Sequence, residues 1–134
     1  MSTVLFACVH NAGRSQMAAA FFNALADPER ARALSAGTQP GEHVHPAVVE
    51  VRAELGFDLR DVKPTLLTEA LARDAELLVT MGCGEACPVV PGLRRDDWAL
   101  PDPKGESPRR VREIRDEIRS RVAALVAAEG WQRQ

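Results

Sequence analysis

The stretch Val4-Leu5-Phe6-Ala7-Cys8-Val9-His10-Asn11-Ala12-Gly13-Arg14-Ser15-Gln16-Met17-Ala18-Ala19-Ala20-Phe21-Phe22 decides how this chain is read. An apolar run ends in a cysteine, a short loop with one glycine follows, and Arg14-Ser15 opens a helical pattern. That is strand, loop and helix N-terminus, with a thiol at the strand's end. A helix N-terminus presents backbone N–H groups and a partial positive charge, so a loop wrapping it suits a tetrahedral oxyanion. Arg14 adds a forked, permanently charged donor able to grip two of the anion's oxygens. The same field favours the thiolate form of Cys8, which is the nucleophilic form. Ser15 is placed to donate to that sulfur and to help it leave later, and Asn11 to brace the loop. A lone cysteine after a strand is most often a small buried hydrophobe. The Arg-Ser pair after five intervening residues, set between strand and helix, points instead to a nucleophile in an anion-binding loop.

Outward from this stretch, apolar runs alternate with helical patterns. Residues 3–8 read as a continuous apolar strand, as expected in a parallel sheet covered on both faces. The first helix is expected over residues 14–26, stopped by Asp27-Pro28. Residues 33–37 form a second strand and residues 38–42 a loop. Residues 46–55 carry a helical stripe of Val48, Val49, Val51 and Leu55, ended by Gly56. Thr68 caps a short helix over residues 69–73. Residues 76–81 are a third apolar strand and residues 97–100 a brief fourth. Pro108 starts a terminal helix to about residue 128, with Val111, Ile114, Ile118, Val122, Leu125 and Val126 on one face. Strands alternating with helices imply parallel βαβ units, and ligands in such sheets sit beyond the carboxyl ends of the strands. Cys8, the loop at 82–87 and the loop at 100–104 all follow strands, so all three are expected at one rim. The fold class is α/β: one domain over residues 1–134, a four-stranded parallel sheet flanked by helices.

A chain of 134 residues buries a core without staples. A formal net charge of −2 gives no electrostatic case for nucleic acid or an anionic membrane surface. No apolar run approaches the roughly 20 residues of a membrane span, and the N-terminus lacks the basic region of a secretory signal. Three cysteines, an odd number, argue against an extracellular disulfide framework and for a cytoplasmic chain with reactive thiols. Cys83 and Cys87 stand four apart with no second pair at ligand spacing, so no metal site is expected. His43 and His45 lie in a polar loop and read as solvated. A monomer is expected.

The loop's Cys8, Asn11, Arg14 and Ser15 resemble the signature of the low-molecular-weight protein tyrosine phosphatase superfamily and, within it, of the arsenate reductases that share its fold. His10 departs from the glycine common there, and Gly13 stands where many members carry a second cysteine. The resemblance covers essentially the whole chain and implies the compact four-stranded α/β fold. It implies an oxyanion site built from the backbone of Val9, His10, Asn11, Ala12 and Gly13 together with Arg14. It makes Asp102, held between Pro101 and Pro103, the general acid that protonates the departing oxygen.

Cys83 and Cys87 separate the two activities this superfamily implies. A phosphatase needs one cysteine, because water hydrolyses its phosphoenzyme; reducing arsenate needs two electrons, which further thiols supply. By resemblance to thioredoxin-coupled arsenate reductases, Cys8 attacks arsenic, Cys83 attacks the Cys8 sulfur, and Cys87 then attacks Cys83. No bound cofactor is implied: the electrons come from thioredoxin or a glutaredoxin-like redox protein, and phosphate or sulfate would mimic arsenate. On an ideal helix the Cys83 and Cys87 Cβ atoms would lie about 5–6 Å apart, whereas a disulfide prefers about 3.5–4.5 Å. The turn must therefore distort, and Gly82, Gly84 and Pro88 permit it. The alternative is a low-molecular-weight phosphatase hydrolysing phosphoesters through a Cys8 phosphoenzyme. Against it, Asp102-Pro103 is followed by Lys104-Gly105, and the chain has no tyrosine to shape a phosphotyrosine cleft.

Overall fold

The structure, a computed structural model, describes residues 2–8, 13–37, 65–81, 93–98, 100 and 106–133. The expected helix at 46–55, the expected loops at 38–42 and 82–87, and all but Leu100 of the expected loop at 100–104 lie outside the described residues. Among the described residues, four strands and three helices follow in order: β1 (Ser2–Cys8), α1 (Arg14–Leu25), β2 (Ala31–Gly37), α2 (Glu69–Arg73), β3 (Leu77–Thr80), β4 (Arg94–Asp97) and α3 (Pro108–Glu129). The strands form one sheet in the order β2-β1-β3-β4, every pair parallel. Among the described residues, no helix is long and apolar enough to cross a membrane.

The central strands are apolar on both faces because helices cover both. Val4, Phe6 and Cys8 of β1 join Leu77 and Val79 of β3 and the buried sides of α1 and α3 in one cluster. Leu5, Ala7 and Leu78 face the other way, onto Leu67, Ala72 and Ala75 around α2. The stripe expected on the terminal helix is buried at Val111, Ile114, Ile118, Val122 and Val126, with Leu125 partly buried. Ser107 caps α3 by accepting from the Arg110 N–H at 3.2 Å, and Thr68 caps α2 by accepting from the Leu71 N–H at 3.1 Å. Gly130 closes α3 in the left-handed region, φ 72°, which a residue without Cβ enters freely.

The fourth strand corrects the sequence reading. It spans Arg94–Asp97 rather than residues 97–100, and all four of its residues are exposed. Arg-Arg-Asp-Asp shows neither apolar run nor alternation, so the hydrophobic pattern favoured the neighbouring Trp98-Ala99-Leu100. A charged edge strand is also a defence against pairing with another chain.

The two helices on the Cys8 face are tied together at the end opposite the thiol. Trp131, just past α3, packs edge-on against Phe22 with ring centroids 5.8 Å apart. Its carbonyl accepts from the Asp27 N–H at 2.8 Å, and Ala26 bridges Gln132 in antiparallel fashion. The Arg133 guanidinium donates to the Asn23 and Ala24 carbonyls at 3.2 and 3.0 Å, satisfying the C-terminal end of α1. Arg94 at the start of β4 pairs with Glu129 at the end of α3, which raises the Arg94 pKa through a hydrogen bond and the adjacent negative charge. Both helices therefore begin at the carboxyl edge of the sheet.

Asn23 binds α1 to β2, its side chain donating to the Ala33 carbonyl at 3.1 Å and accepting from the Ala33 N–H at 2.8 Å. Asn23→Ala leaves both half-buried backbone groups without that partner. It is expected to cost about 1–3 kcal/mol in urea unfolding.

Candidate active site

Cys8 is the last residue of β1, level with Gly37 of β2. Strand alternation turns its side chain toward α1, where it is 2% exposed. Its Sγ lies 2.8 Å from the hydroxyl of Ser15, in the first turn of α1. The hydroxyl donates whenever the sulfur is a thiolate, and the same contact eases the later departure of that sulfur. Gly13 at the N-cap has no side chain with which to cap the helix, and no acid stands in the first turn. The turn thus brings no negative charge of its own to compete with an oxyanion.

Arg14 begins the same helix and is buried at 7% exposure. Its Nη1 donates to the Leu100 carbonyl at 2.9 Å, across 86 residues of sequence. A planar guanidinium fixed at one nitrogen keeps its fork in a set orientation, which is what two-pronged recognition of an anion requires. Leu100 stands two residues before Asp102, so the arginine of the anion loop is tied to the chain carrying the expected acid.

Of the expected site residues, Cys8 and Ser15 are in contact, and Gly13 and Arg14 stand at the start of the same helix. Val9, His10, Asn11, Ala12, Cys83, Cys87 and Asp102 lie outside the described residues. Their attachment points are described. Ala7, Thr80 and Asp97 occupy one row across β1, β3 and β4, so the chain leaves all three strands at one edge. Cys83 follows Thr80 by three residues and Asp102 follows Asp97 by five.

Two features escape the sequence reading. The Leu100 carbonyl is a backbone acceptor, and no residue type marks such a role. Asp97, placed by the sequence only at the start of the expected fourth strand, accepts a hydrogen bond from the Thr80 hydroxyl. A buried threonine ending an apolar strand was the available signal.

Residues 3–133 match the family model described as low molecular weight phosphotyrosine protein phosphatase. The chain is 42% identical over 128 residues to a putative arsenate reductase of Halobacterium salinarum, covering 90% of this chain and 87% of that one. It is 32% identical over 130 residues to a glutaredoxin arsenate reductase of Synechocystis, covering 95% and 98%. Among solved structures, a thioredoxin-dependent arsenate reductase of Corynebacterium glutamicum superposes with a TM-score of 0.82 at 39% identity. That likeness covers 96% of this chain and 61% of the other, so this chain spans less than two thirds of that protein. The chain belongs to the low-molecular-weight phosphotyrosine protein phosphatase family.

Arg14→Lys keeps the charge but loses the fork and its fixed orientation. Inorganic phosphate, read by calorimetry, is expected to bind at least roughly tenfold more weakly, as for loss of a charged bidentate contact.

Proposed function

We propose that this chain is an arsenate reductase that converts arsenate to arsenite. The observation that carries the reading is the Cys8 sulfur 2.8 Å from Ser15, beside the buried Arg14 at the start of α1. Relatives named arsenate reductase across most of their length support it.

Arsenate is held by Arg14 and the backbone of residues 9–13. The Cys8 thiolate attacks arsenic(V) and forms an S–As bond, while Asp102 gives its proton to the departing hydroxyl, which leaves as water. The Cys83 thiolate then attacks the Cys8 sulfur. The S–As bond breaks with its electron pair remaining on arsenic, so arsenite leaves as arsenic(III) and a Cys8–Cys83 disulfide forms. Cys87 attacks Cys83, releasing the Cys8 thiolate and leaving a Cys83–Cys87 disulfide for an external dithiol to reduce. Thioredoxin suits a three-cysteine relay and is named in the Corynebacterium structure, whereas the Synechocystis relative is named for glutaredoxin. A route through free thiols belongs in the reducing cytoplasm.

The deciding assay follows NADPH oxidation with arsenate, thioredoxin and thioredoxin reductase, beside hydrolysis of para-nitrophenyl phosphate. Arsenate-dependent oxidation that disappears without thioredoxin is expected; brisk phosphoester hydrolysis with no arsenate reduction by any thiol system would overturn the reading. Cys8→Ser is expected to abolish both activities. Cys87→Ser should stop thioredoxin-coupled turnover yet leave arsenite release in a single turnover intact. Asp102→Asn should slow the first chemical step by roughly 10²–10⁴-fold, the usual contribution of a general acid.

A further inference from the structure

We infer that Thr80 and Asp97 are positioning residues for the oxyanion site, acting through the strand end from which Leu100 reaches Arg14. The inference rests on the reading of Cys8 and Arg14 as that site. Thr80 ends the apolar strand Leu77-Leu78-Val79-Thr80 and is 2% exposed. A buried hydroxyl needs a partner, and this one donates to Oδ1 of Asp97, its neighbour across β3 and β4. Beyond this row each strand keeps one further backbone rung. The Met81 N–H donates to Ala7 at 2.7 Å, and the Trp98 N–H donates to Thr80 at 2.8 Å.

The two strands do not depend equally on this pair. β3 is held on both sides, by β1 and by β4. Among the described residues, β4 is an edge strand of four exposed charged residues, paired on one side alone. The side-chain bond therefore matters to the position of β4 and of the residues just beyond it. Three residues past Asp97 comes Leu100, whose carbonyl fixes Nη1 of Arg14. Trp98, between them, packs against Phe6 of β1 at 5.7 Å, so displacement at Asp97 passes into the same wall that carries Cys8. Fraying at this row would free the Leu100 carbonyl and with it the orientation of the guanidinium. The cysteines beyond β3 hang from the better-held strand, so the effect falls on anion binding rather than on thiol exchange.

The test uses the full chain with Thr80→Val and Asp97→Ala, and with Thr80→Ser and Asp97→Asn as variants that keep the donor and the acceptor. The readouts are calorimetric binding of inorganic phosphate, KM and kcat for arsenate, and the melting temperature. Thr80→Val and Asp97→Ala are each expected to weaken phosphate binding and raise KM roughly five- to tenfold, the size of one ordinary net hydrogen bond, with kcat little changed. The double variant should be no worse than Asp97→Ala alone, because that variant already removes the Thr80 bond, together with the Arg95 ion pair at 3.3 Å. Thr80→Ser and Asp97→Asn should bind phosphate like the wild type. The inference is overturned if the melting temperature falls while phosphate affinity and KM hold, or if the conservative variants are impaired as much as the others. A wild type that binds phosphate but does not reduce arsenate would sink the reductase reading alone. The phosphate affinities would still decide the role of the pair.

Discussion

Everything in this molecule is arranged around a sulfur held 2.8 Å from a serine hydroxyl at the start of a helix. That contact requires β1 to end where α1 begins, and it requires strand alternation to turn Cys8 toward the helix rather than toward α2. A slip of one residue in β1 would send the thiol to the opposite face. The parallel pairing of β1 with both β2 and β3 prevents the slip by burying Val4, Phe6 and Cys8 on one side and Leu5 and Ala7 on the other.

The remaining architecture converts this local constraint into a site. Parallel strands leave at one edge, so residues far apart in sequence arrive together without any local signal that they should. Arg14 illustrates how such convergence is secured: a buried cation commits one donor to the Leu100 carbonyl and so ties the anion loop to the end of the last strand. An aromatic column, Trp98 on Phe6, Phe6 on Phe22 and Phe22 on Trp131, runs from that edge through the core to the far end. Its rings meet tilted or edge to face, the geometry their quadrupoles prefer.

How much was legible in the sequence depended on whether a role belongs to a side chain in a pattern. Cys8, Arg14 and Ser15 were legible because strand, glycine loop and helix punctuate each other over a short stretch. The central strands and the stripe of α3 were legible because burial on two faces or on one leaves a period in the apolar residues. β4 was misplaced because an edge strand can be built entirely from charged residues once a neighbour supplies the ladder. The Leu100 carbonyl was invisible because backbone acceptors carry no letter. Trp131 and Arg133 gave no periodic signal either, yet they lock α1 to α3.

The chain ends share a property with the lock between the helices. Ser2 opens β1 with its N–H on the Arg30 carbonyl, and Gln132 pairs with Ala26 at the finish of α1. Both places lie at the amino edge of the sheet, the pole away from Cys8. The described part of the domain thus has a polarity like that of a plug: its first and last residues share one pole, and Cys8 stands at the other.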